Sequence, residues 1–191
     1  MNTFLHWRGI AVVVLFLCPM AMRADERLGA RDVRAVPPMD LARYAGTWYE
    51  IARMPNRFQD KCAGDVTATY TVREDGDITV VNRCATKDGG VTEVTGRARL
   101  AERNGPNTKL EVRFAPAWLS FLPMVWADYW VIDLAPDYSF AVIGEPKRTY
   151  LWILSRTPTL DENTLQGIYS RLRDQGYDPA TLMNTHQSAA R

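Results

Sequence analysis

Tyr44-Ala45-Gly46-Thr47-Trp48-Tyr49-Glu50-Ile51-Ala52-Arg53 is the stretch from which the fold is read. It is aromatic and β-prone, and Gly46 lets the chain bend into it. Pro37-Pro38 comes just before, so an irregular approach ends there and a strand begins. Strict alternation puts Trp48, Glu50 and Ala52 on one face, and Tyr49, Ile51 and Arg53 on the other. A tryptophan directly after Gly-Thr at a strand start has two readings. Either it plugs the end of an all-β core, or it is an ordinary buried core residue. The remainder of the chain decides between them.

Downstream, residues 65–73 alternate cleanly, with Val66, Ala68, Tyr70 and Val72 on one side. Glu74-Asp75-Gly76 is a hairpin signal. The return strand, 77–84, places Ile78, Val80, Asn82 and Cys84 on one face. A short turn pairs Val72 with Ile78, Tyr70 with Val80 and Ala68 with Asn82. Two more half-buried strands follow, with Val94, Gly96, Ala98 and Leu100 on one face of the first and Leu110, Val112 and Phe114 on one face of the second. Residues 115–126 then break the pattern with a run of apolar side chains and no charge. It reads either as a loop packed on its own barrel or as an apolar lip at a cavity mouth that touches ligand or a membrane surface.

Three further strands, 128–134, 138–145 and 149–156, are apolar on both faces and need an outer cover. The cover is a helix starting at Thr159-Leu160-Asp161, whose Leu165, Ile168, Tyr169 and Leu172 recur at helical spacing and which ends at Gly176. These elements predict an all-β fold: an eight-stranded antiparallel up-and-down β-barrel with one C-terminal α-helix packed on its outside. Eight strands enclose an interior that packs solid or holds one small ligand. Small inward positions, Ala68, Gly96, Ala98 and Gly144, stand beside Tyr70, Phe114 and Trp152, which predicts an apolar cavity. Trp48 and Arg156 both fall on inward parity, where a guanidinium can lie on an indole face.

Composition narrows the function. The 191-residue chain has a net charge of +1 and no basic block, which argues against nucleic acid as a partner. Its two histidines, His6 and His186, stand near opposite ends, so a histidine-based metal site or catalytic centre has little to work with. There is no Gly-x-Ser-x-Gly motif. Glu50 and Asp133 share inward parity, so an enzyme built on buried carboxylates is the weaker alternative to a binding protein. No cofactor and no metal are expected.

Residues 1–24 read as a signal peptide: the apolar run 9–22 follows His6 and Arg8 and is too short to span a bilayer. Cys18 raises lipid attachment as a second possibility, although bulky Leu17 precedes it. Residues 25–39 read as an N-terminal tail, 40–183 as the domain and 184–191 as a disordered tail. Export places Cys62 and Cys84 in an oxidising compartment, where they form one disulfide or remain two buried thiols. The hairpin register sets Cys84 opposite Val66, and at about 3.3 Å per residue Cys62 is then too far to bond unless the chain before residue 65 folds back.

Residues 46–53 resemble the Gly-x-Trp signature of the lipocalin family, in the form shared by bacterial outer-membrane lipoproteins, apolipoprotein D and plant temperature-induced lipocalins. Residues 150–158, Tyr-Leu-Trp-Ile-Leu-Ser-Arg-Thr-Pro, resemble the second hallmark, whose arginine packs over the signature tryptophan. Val66-Thr67-Ala68-Thr69-Tyr70 and Val80-Val81-Asn82-Arg83 are similar to the bacterial branch. The resemblance implies a structural role for Gly46, Trp48 and Arg156, and a ligand set of Tyr70, Asn82, Phe114 and Trp152, with Phe58 at the open end. It also implies a fatty acid or lysophospholipid as partner and a location in the periplasm or outer membrane. In apolipoprotein D the cysteine matching Cys62 bonds to the C-terminal region, where this chain has none, which leaves Cys84 as the partner. Peripheral membrane contact through 115–126 and a homodimer stand as further expectations.

Overall fold

A computed structural model describes residues 32–188, so the expected signal segment and Cys18 lie outside the described residues. Nine strands form one sheet: β1 Gly46–Arg53, β2 Cys62–Val72, β3 Ile78–Thr86, β4 Val91–Leu100, β5 Lys109–Arg113, β6 Ala127–Leu134, β7 Phe140–Gly144, β8 Leu151–Ser155 and the short β9 Met183–Asn184. Neighbours in sequence pair antiparallel from β2 to β8, and β1 bonds both β8 and β2, which closes an eight-stranded up-and-down barrel. The β2–β3 register is the one the hairpin turn predicts, with Val72 opposite Ile78, Tyr70 opposite Val80 and Ala68 opposite Asn82.

Helix α2, Glu162–Asp174, starts where Asp161 accepts a hydrogen bond from the Thr164 amide at 3.0 Å. It buries Ile168 and Leu172 against outward-facing Ile132, Val142, Leu151 and Ile153. The molecule therefore has two apolar clusters, this one outside the barrel wall and one inside it built on Trp48, Tyr44, Tyr70 and Ile143.

A short helix unforeseen in the sequence, α1 Leu41–Tyr44, leads into β1, capped by the Asp40 carboxylate. It closes the barrel's base. Trp48 is fully buried, its Nε1 donates to the Tyr44 carbonyl at 2.9 Å, and the Arg156 guanidinium lies 3.8 Å from its ring. Arg156 also donates to the carbonyls of Arg43, Tyr44, Ala45 and Thr47. Gly46 is required there: its φ is +94°, and a Cβ would sit 3.4 Å from Arg156 Nη1.

Expectations of side-chain direction fail at four residues, three of them at β-bulges. The β1–β8 register shifts between Glu50 and Ala52. Ala52 consequently joins the outer cluster, and Arg53 is buried with its Nη1 2.8 Å from the Glu50 carboxylate it was expected to face away from. A second shift, between Val131 and Asp133, turns Asp133 outward to Arg171 on α2 at 2.7 Å. Gly144 also faces outward, where its missing Cβ makes room for the Tyr177 hydroxyl and Ile132. Two more shifts, at 62–64 and 64–67 in β2, draw Cys62 back toward Cys84, so the disulfide forms with the Cα atoms 5.7 Å apart.

Both ends of the domain are packed further than the tail readings allow. Val33 and Met39 are buried, and the Val36 amide donates to the Val131 carbonyl at 2.9 Å. Residues 184–188, expected to be disordered, are held by β9 and by hydrogen bonds from Gln187 Nε2 to the Glu50 and Val66 carbonyls.

The base predicts a stability effect. Arg156→Ala removes the stacked cation and its carbonyl bonds, and lowers the unfolding free energy in urea by about 2 kcal/mol. Arg156→Lys recovers only part of this, because an ammonium cannot reproduce the planar fork.

Candidate functional site

Above the base the barrel is hollow. A cavity of about 220 Å³ runs up to the open end, far above the roughly 10–15 Å³ that admits one water. The strands position its wall by simple alternation. Val66, Ala68 and Tyr70 come from β2, Val80, Asn82 and Cys84 from β3, and Val94, Val112, Ile143 and Leu154 from strands around the circuit. Gly96 opens the space that Phe114 fills, since a Cβ there would lie 2.6 Å from that ring.

The five residues singled out in the sequence, Tyr70, Asn82, Phe114, Trp152 and Phe58, all line this cavity. Phe58 sits in a 3-10 turn, Arg57–Gln59, at the mouth and is 61% exposed. Its ring centroid is 5.2 Å from Tyr150, which stacks in turn on Trp152 at 5.9 Å. Cys62 and Cys84 line the cavity as well, so the disulfide is part of its wall.

Several lining residues escaped the sequence reading. Tyr129 and Tyr150 carried a usable signal, because each shares parity with a residue the sequence places inside, Asp133 and Trp152. Gln59 carried none, since it lies on an irregular loop. Its amide donates to Glu50 Oε2 at 2.7 Å and its carbonyl oxygen accepts from Trp152 Nε1 at 2.9 Å. Glu50 is 2% exposed, and beyond Gln59 it accepts from Arg53 and the Thr185 hydroxyl. Every oxygen of this buried carboxylate is therefore satisfied by the protein itself.

At the floor three phenols form a chain. The Tyr44 and Tyr129 hydroxyls lie 2.7 Å apart, and Tyr129 donates to Tyr70 at 2.8 Å. Proton counting orients it. Tyr129 spends its one proton on Tyr70, so Tyr44 donates to Tyr129 and the Tyr70 proton is left over. Burial pushes the Tyr70 hydroxyl up to about 12 and holds Tyr44 and Tyr129 well above their ordinary value, so all three stay neutral donors at physiological pH. Asn82 is half-buried, and its side-chain amide has no partner among the described residues. Among those residues no group of three metal-ligating side chains comes together. The cavity can thus hold an elongated apolar molecule and offer its oxygen atoms a hydroxyl and an amide.

The chain matches the lipocalin-like domain across residues 39–187. It is 41% identical to temperature-induced lipocalin-1 of Arabidopsis thaliana, over 83% of this chain and 84% of that one. It is 37% identical to the outer membrane lipoprotein Blc of Escherichia coli K12, over 82% and 84% respectively. Among solved structures, insecticyanin from Manduca sexta shares the fold with a TM-score of 0.64, at 21% identity, over 83% of this chain and 86% of that one.

The phenol chain predicts an alkaline limit to stability. A tyrosine whose folded-state pKa lies above its unfolded value favours the fold while neutral, so its contribution is intact below the unfolded pKa. For Tyr70 it is lost as pH rises from 10.0 toward about 12. Unfolding free energy should stay level to about pH 9 and fall across that window. Ultraviolet tyrosinate titration should show this group ionising late.

Proposed function

The chain belongs to the lipocalin family, and from that premise we propose that it carries a fatty acid or lysophospholipid in the bacterial cell envelope. One observation bears most of the weight: a hollow barrel interior lined mainly by apolar side chains, with a spare Tyr70 proton and the Asn82 amide among its donors, and with the exposed Lys61, Arg83 and Asp128 as its charged lining residues besides buried Glu50. An acyl chain fits the apolar part of the lining, and its ester or carboxyl oxygens meet Asn82 and Tyr70. The aromatic ladder Phe58–Tyr150–Trp152 forms the upper wall along which the chain enters. The envelope location is supported by the signal-like run 9–22 and by the similarity to an outer membrane lipoprotein. Glu50 is engaged on both oxygens by structural partners, which disfavours a catalytic role for it.

Native mass spectrometry of the protein purified from a bacterial host should show a bound acyl lipid. Trp152→Ala should weaken fatty-acid binding by at least about 1 kcal/mol, and Tyr70→Phe should weaken it by a comparable amount without changing capacity. A protein that carries no lipid and takes up none on titration overturns the reading.

A further inference from the structure

Outside the barrel, a groove runs over the outer face of β3–β5 beneath the start of the 115–126 segment. Arg73, Thr79, Thr95, Arg97, Arg113 and Ala117 line it. Two of its arginines are compensated: Arg97 pairs with Asp75 at 2.8 Å and also with Asp77, and Arg73 pairs with Asp75 at 3.4 Å. Arg113 is not. It is 7% exposed, it takes part in no ion pair among the described residues, and its Nε has no hydrogen-bond partner. Its Nη1 donates to the Ala115 carbonyl. A guanidinium this withdrawn from water, with no counter-ion, is costly unless an anion completes it.

The groove's rim continues directly into an apolar lip. Trp118, Phe121 and Met124 are 73%, 74% and 84% exposed, in a run from 114 to 126 that contains no charge. Two 3-10 turns, Ala117–Leu119 and Pro123–Val125, shape it. Trp126 anchors it, with its ring centroid 3.8 Å from the Arg99 guanidinium and 5.2 Å from that of Arg113, and its Nε1 donating to the Ser120 carbonyl at 2.9 Å. The lip begins and ends at the cavity mouth, since both Phe114 and Ala127 line the cavity.

We propose that lip and groove together form a docking site for a membrane surface rich in anionic phospholipid. The three apolar side chains enter the acyl boundary, and a lipid phosphate at the interface meets Arg113, with the Thr79 and Thr95 hydroxyls as further donors. Three protruding side chains suit a fluid phase better than a folded partner, which would have to provide a separate pocket for each. With Asp75 and Asp77 offsetting Arg73 and Arg97, the groove's charge reduces to that of Arg113. Selectivity for anionic lipid is therefore modest and rests on one residue. Docking lays the cavity mouth against the bilayer, and it stands whatever the cavity holds.

The test is vesicle flotation of residues 32–191, which contain every barrel element and leave out the apolar run 9–22. Phosphatidylcholine vesicles are compared with phosphatidylcholine–phosphatidylglycerol vesicles. The protein should float with both, and about fivefold more with the anionic vesicles. Changing Trp118, Phe121 and Met124 together to Ser should abolish flotation with both. Arg113→Gln should cut partitioning to anionic vesicles about fivefold. Thr95→Glu, at an exposed position on the groove, supplies an internal carboxylate and should do the same without disturbing the strand. Bound acyl lipid, read by native mass spectrometry, should not change in any variant. Equal partitioning to the two vesicle types, flotation that survives the triple change, or unaltered partitioning of Thr95→Glu overturns the site. So does self-association, abolished by the triple change, in a protein that never floats.

Discussion

The contact on which the rest of the structure depends is the Arg156 guanidinium laid over the Trp48 indole. Closure of the barrel passes through one strand, β1, which bonds β2 on one side and β8 on the other. Trp48 is the buried side chain at the start of that strand, and Arg156 follows the end of β8. Their stack, about 1 kcal/mol for a half-buried guanidinium, is thus placed at the seam. The four carbonyls that Arg156 also engages belong to α1 and the entry to β1, so one side chain fastens the base, the first strand and the last. Gly46 leaves the space this needs.

A sealed base permits a hollow top. An empty interior forgoes contacts that a packed core would make, and close packing is what ordinarily holds a domain together. Here the deficit is met outside the wall. Strands β7 and β8 send Ala141, Ile143 and Leu154 inward while Val142, Leu151 and Ile153 pack under α2. Both faces of these strands are apolar, so the helix side supplies a solid core and the cavity side remains free for a ligand. Stability and capacity are assigned to opposite faces of the same strands.

Much of this was legible because an antiparallel hairpin with a defined turn sets its own register. Glu74-Asp75-Gly76 aligned β2 with β3, and alternation then carried Tyr70, Asn82 and Phe114 to the inside without any knowledge of the barrel. The failures have a shared cause where β-bulges intervene. An inserted residue reverses the parity of everything beyond it, yet nothing in composition marks the spot. Arg53 and Asp133 each lie just past such a shift. The cysteines show the same effect in the opposite sense, since strict alternation held them apart and two shifts brought them together. Gln59 and the 184–188 segment were illegible for a different reason: their places are decided by side-chain bonds to Glu50 and by β9 pairing, which no periodicity reports.

The first of those bulges also explains why the two ends of the barrel differ in kind. By turning Arg53 inward it gives Glu50 a buried partner, and the remaining oxygen reach of that carboxylate takes up Gln59 from the mouth loop and Thr185 from the C-terminal segment. A buried ion pair is a poor source of net stability, but breaking it is costly, so it acts as a fixed post rather than as glue. The loop hangs from that post by Gln59, whose amide donates to Glu50 and whose carbonyl oxygen accepts from the Trp152 indole. These are two part-buried side-chain bonds, about 1 kcal/mol for the neutral one and about 2 kcal/mol for the one to the carboxylate. The base, by contrast, is tied by a guanidinium to backbone carbonyls that cannot move without unwinding α1 or β1. Opening the barrel therefore costs least at the mouth, because there the bonds that hold the chain are few and made by side chains.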